Sequence, residues 1–135
     1  MRIKRLLVLS LIFATACKSP TPAEQMESAR SWIGTAGMAG SAWLRHTTPA
    51  TYTRQTLELS HEKLGQISDD LLKSPPPGAD IAALHVVLAR SRSRIARMEA
   101  LVAANNAPDF VRELKSLRAD QRLVKRISDR IEPNE

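Results

Sequence analysis

The residues able to do chemistry are few and scattered. His46, His61 and His85 are natural ligands for a transition metal, with carboxylates as partners. They fall on three different segments, no His-x-x-x-His pair occurs, and no metal site is expected. Asp69 and Asp70 are adjacent, but neighbours on a helix point about 100° apart and do not share a site. There is no G-x-S-x-G turn and no glycine-rich phosphate loop. Without a nucleophile, a base and an orienting group, no catalytic residue is assigned and no enzyme activity is expected. No cofactor is implied either.

Two surface patterns remain. Arg90, Arg92, Arg94 and Arg97 crowd into eight residues with no acid among them. Further on, Arg118, Arg122 and Arg126 follow one another at i,i+4, where like charges repel unless solvent or an anion intervenes. Arg90, Arg94, Arg97, Arg118, Arg122 and Arg126 are therefore a candidate face for anionic headgroups or an acidic envelope polymer. Nucleic acid is not expected, because no aromatic residues are interleaved with the arginines. The second pattern is Trp32, Gly37, Gly40 and Trp43. Glycine inside a helix costs about 1 kcal/mol relative to alanine, so these glycines need a close neighbour. That neighbour is either a packed helix or a partner or apolar ligand seated between the tryptophans.

The elements that would position these residues are four helices. Thr21-Pro22-Ala23-Glu24 has the form of a capping box with proline at the first helical position. Thr48-Pro49 repeats the Thr-Pro start, Asp80 follows a Ser-Pro-Pro-Pro-Gly break, and Asn106 precedes Ala107-Pro108-Asp109. The predicted helices cover residues 22–46, 49–73, 80–104 and 108–131. Apolar stripes at helical spacing support them: Leu57, Leu64, Ile67 and Leu71 in the second; Ile81, Leu84, Leu88, Ile95, Met98 and Val102 in the third; and Phe110, Leu114, Leu117, Val124, Ile127 and Ile131 in the fourth. Matched lengths and short connections predict an all-α, up-down antiparallel bundle. With 4% aromatic residues, its core must be aliphatic and closely packed.

Ahead of the bundle, Arg2, Lys4 and Arg5 precede an apolar run of about 11 residues, Leu6 to Ala16. That run suits a secretory signal and is too short to span a bilayer. It ends in Ala14-Thr15-Ala16 and then Cys17, the single cysteine in the chain. Here the sequence resembles a bacterial lipoprotein precursor, whose lipobox ends in a small residue followed by a cysteine. The resemblance implies cleavage before Cys17 and lipidation, palmitate included, of its new N-terminus. It divides the chain into a signal peptide (1–16), a tether (17–24) and a bundle domain (25–135). Lys18 after the cysteine implies the outer membrane. Ala14-Thr15-Ala16 also fits ordinary signal cleavage, which would export the chain with Cys17 as a free thiol.

Removing the signal changes the charge reading. The whole chain carries +6, and the part from Cys17 onward keeps 17 basic against 14 acidic residues. Residues 17–77 hold six of each sign, so the surplus lies in the last two helices. The expected function is that of a membrane-anchored envelope lipoprotein, an interaction or structural module whose partner is an envelope protein or an anionic polymer. The alternative is a carrier holding a small apolar ligand or lipid between helices one and two. Oligomeric state is open at this point, since hairpins could pair within or between chains.

Overall fold

The computed structural model describes residues 19–75 and 80–131; Cys17, the signal segment and the Pro-Pro-Gly-Ala stretch lie outside the described residues. The described residues form four helices: α1 (Pro22–Leu44), α2 (Ala50–Lys73), α3 (Ile81–Ala103) and α4 (Ala107–Ile131). Neighbours form a ring, α1 on α2, α2 on α3, α3 on α4 and α4 back on α1, with only slight contact across the diagonals. Arg54 reaches Glu99 and Arg92 reaches Gly65, so α2 and α3 run antiparallel, as do α3 and α4 through Arg90–Asp120 and Arg97–Glu113. This is the expected up-down bundle. The chain enters at one end, which also holds the α2–α3 connection and the end of α4.

Local chemistry sets the ends. At α1, the Thr21 hydroxyl accepts from the Glu24 amide and the Glu24 carboxylate accepts from the Thr21 amide, closing the capping box. Pro22 is helical, so α1 begins inside the stretch assigned to the tether. Asp80 caps α3 by accepting from the Ala83 amide, and Asn106 caps α4 through the Asp109 amide. The Thr-Pro start of α2 differs from expectation. Pro49 itself, in extended backbone, is the capping residue and makes no side-chain cap bond. Its carbonyl accepts from both the amide and the hydroxyl of Thr53.

Helix α1 stops two residues short of its predicted end. The His46 amide donates to the Trp43 carbonyl and the Thr47 amide to the Ala42 carbonyl, the paired bonds of a Schellman closure. That closure puts His46 at φ 59°, and Asn105 takes φ 52° in the same arrangement after α3. Left-handed backbone costs an L-residue about 1–2 kcal/mol, a cost glycine escapes. His46→Gly should therefore stabilise the bundle by about 1 kcal/mol, less glycine's added freedom when unfolded. A rise in thermal midpoint checks this, and a fall would show that His46 makes a compensating contact.

The core is one cluster running the length of the bundle. The expected stripes of α3 and α4 are buried except Ile81, and Ile67 of α2 packs against the cluster from its margin. Met26, Ala29 and Val87 join it. Buried hydroxyls are satisfied locally: Ser60 donates to the Thr56 carbonyl and Ser91 to the Val87 carbonyl, each at 2.8 Å.

Candidate functional site

The glycines of α1 sit where α4 comes closest. A Cβ on Gly40 would lie 2.7 Å from Cζ of Phe110 and 3.4 Å from the Met98 methyl. Phe110 is fully buried, and Trp43 meets its ring edge-on with centroids 4.9 Å apart. At Gly37 the nearest atom is the Leu114 Cδ1, at an ordinary 4.0 Å. The space beside Gly40 is thus filled by Phe110, whereas Gly37 touches Leu114 at its edge and also lines the open groove between α1 and α4. Trp32 and Trp43 are half-buried and pack against the core. The structure brings Gly37, Gly40 and Trp43 together as a helix-packing contact, with Trp32 further along the same helix.

The arginines divide into two groups, one on the α3–α4 seam and one on the outside of α4, where Arg118 borders α1 and Arg122 and Arg126 are exposed. Between α3 and α4, Asp120 is buried at 2% exposure on the apolar side of α4. Its Oδ1 accepts from Arg90 Nε at 2.9 Å and lies 2.7 Å from Arg90 Nη2, while its Oδ2 accepts from Arg94 Nε at 2.9 Å. Ser91 Oγ is 3.4 Å from Oδ2, but its single proton goes to the Val87 carbonyl, so this is a close approach and not a further bond. Glu113, about two turns earlier on the same face of α4, takes Arg97 at 2.9 Å and Arg94 at 3.4 Å. The arginine run, which has no acid within it, draws its acids from α4. Charge-assisted bonds of this kind contribute more than neutral ones, and here they lock the register of α3 on α4. Arg92 of the same run points to α2 instead. Its guanidinium lies across Gly65, where a Cβ would be 2.7 Å from Nη2.

The basic residues of α4 project elsewhere. Arg118, Arg122 and Arg126 are exposed, and Arg118 Nη2 donates to Ser41 Oγ of α1 at 2.5 Å. Between α1 and α4 runs an open groove of about 690 Å³ lined by Arg30, Gly34, Met38, Ser41, Arg118 and Gln121, among others. It continues toward the far end past Arg45, Val111 and Lys115. Arg30 pairs with Glu27. Among the described residues Arg45, Lys115 and Arg118 have no carboxylate partner. The cationic character that the α3–α4 seam neutralises internally survives in this groove. Its rim carries exposed apolar side chains, Met38 at 68% and Val111 at 42%.

The histidines stay apart. His46 closes the α1 turn, His61 is half-buried in the middle of α2, and His85 is exposed in the second turn of α3. Glu58 precedes His61 by three residues and shares its side of the helix. Yet among the described residues no three His, Cys, Asp or Glu side chains gather closely enough to hold a metal. Sequence reasoning passed over Asp120 and Gly65. Asp120 had a signal: it falls between Leu117 and Val124 at spacings of three and four, squarely on the apolar stripe. Comparison with known proteins finds no matching family model, curated protein or solved structure.

Proposed function

We propose that the chain is a lipid-anchored helical module of a bacterial cell envelope, tethered through acyl chains on Cys17, that works by protein interaction. The observation that carries the anchor is the placement of the one cysteine directly after a basic n-region, an apolar run and small residues. Several acyl chains on that residue make attachment stable, because each buried methylene contributes about 0.8 kcal/mol. No helix among the described residues is long and apolar enough to cross a membrane, so attachment falls to the lipid. Lys18 beside the cysteine points the anchored chain to the outer membrane.

The interaction role is supported by where open surface lies. Phe110 occupies the space beside Gly40, while Gly37 touches Leu114 and otherwise opens on the α1–α4 groove, so no enclosed chamber lies beside these glycines for a carried ligand. What stays open is the α1–α4 groove, cationic within and apolar at its rim. An interaction module has its free chemistry on the outside, and a lipid carrier needs it within.

In bacteria grown with labelled palmitate, the wild-type chain should take up label and sediment with membranes. Cys17→Ser should take up none and remain unprocessed or soluble. Equal labelling of both would remove the anchor from the account. For the alternative carrier role, native mass of the protein released in mild detergent should show no stoichiometric lipid beyond the covalent chains. A bound lipid of fixed mass would favour the carrier.

A further inference from the structure

The α1–α4 groove has a complement on the same molecule that the molecule itself cannot reach. Glu58, Glu62 and Asp69 are exposed on α2, and spacings of four and seven put them on one helix face. Among the described residues none has a cationic partner, and Glu62 only accepts from Gln66 at 3.4 Å. Leu59, 43% exposed, lies beside this acidic strip. Since α2 is diagonal to α4 in the ring, the strip turns away from α4 and its groove. An acidic strip with an apolar residue and a cationic groove with an apolar rim therefore face outward on different sides of one bundle.

We propose that the groove is occupied by the α2 face of a second copy of this chain, tethered to the same membrane. This rests on the anchored reading, because tethering fixes the heights at which the two surfaces meet. With the tethered end at Pro22, Lys73 and Ile131 and about 1.5 Å of rise per residue, Glu62 stands about 17 Å above it and Arg118 about 20 Å. By the same measure Glu58 stands at about 23 Å and Lys115 at about 24 Å, with Leu59 at about 21 Å and Met38 at about 24 Å. Acid meets base and apolar meets apolar when two upright copies stand side by side. A flat headgroup surface cannot enter a groove, and a glycan polymer offers nothing to Met38 and Val111. The contact is heterologous, groove to α2, so it repeats from copy to copy as a row in the membrane plane. Single exposed ion pairs contribute little, and confinement to one surface supplies the effective concentration that such a contact needs.

Cysteine cross-linking of the full chain in vesicles tests this. Met38→Cys and Leu59→Cys variants, mixed, should form disulfide-linked dimers at least tenfold faster than either alone, and a Met38→Cys and Val86→Cys mixture should not. Adding Arg118→Glu to the Met38→Cys chain should cut the rate about tenfold, and Glu62→Arg in its Leu59→Cys partner should restore it. Both sites are exposed, and matching thermal midpoints would confirm intact bundles. Overturning results are equal linking by Met38→Cys with itself, no linking of the mixture, or linking indifferent to the charge reversals. Mass of the N-terminal peptide from the same vesicles separates the two readings. Acylated Cys17 without cross-links defeats the row alone, and unacylated Cys17 defeats the anchor whatever the cross-links in concentrated solution show.

Discussion

Asp120→Ala will destabilise the bundle by about 3 kcal/mol, lowering the thermal midpoint by roughly 12 °C for a domain of this size. Asp120 is 2% exposed, and its two oxygens collect three donor nitrogens from Arg90 and Arg94. Breaking a buried ion pair costs about 3–5 kcal/mol when the surviving charge is trapped. Here the survivors are the arginines, whose side chains are 43% and 27% exposed, so they regain water and the cost falls at the lower end. Truncating both arginines together should cost more, because the stranded charge is then the buried carboxylate. Arg97→Ala is the control: its side chain is largely exposed, and its loss should cost under about 1 kcal/mol. Chemical denaturation of the three variants checks the order. If Asp120→Ala and Arg97→Ala prove equal, the carboxylate does not hold the seam.

Gly40→Leu will cost about 3 kcal/mol for a different reason. Even a single Cβ would press to 2.7 Å on a Phe110 ring that is held by Trp43 and wholly enclosed. Inserting bulk into a filled core typically costs about 1–3 kcal/mol, and leucine sits at the top of that range despite a gain in helix propensity of about 1 kcal/mol. The same gain should appear nearly undiminished at Gly37→Ala, where the nearest atom is 4.0 Å away. Combining Gly40→Leu with Phe110→Ala should recover at least 1 kcal/mol relative to the sum of the separate losses, a coupling expected only of residues in direct contact. Strict additivity in denaturant titrations would contradict the packing described for α1 on α4.

The architecture was legible because its signals are local. Capping residues marked three of the four helix starts, and apolar spacing named most of the core. The end of α1 was hidden because His46 occupies a left-handed position where glycine is the usual signal. The α2 start was misread because Thr48-Pro49 looks like a cap and its first residue, yet proline itself holds the capping position. The site was harder. The α3 arginines read as a free cationic face, since their acids lie 16 to 30 residues away on α4; pairings across a bundle leave no trace in local spacing. Gly37 and Gly40 announced a close contact, but not that Phe110 and Leu114 would supply it. The α1–α4 groove belongs to no single segment and emerged only once antiparallel helices placed Arg45 near Lys115 and Arg118.

The claim on which the functional account turns is the acyl anchor at Cys17. The mass of the N-terminal peptide of the chain recovered from membranes tests it most directly. The account predicts a peptide that begins at Cys17, lacks residues 1–16, and is heavier by a diacylglyceryl group. A peptide that retains the signal segment, or that begins at an unmodified Cys17 whose thiol reacts freely, would contradict it.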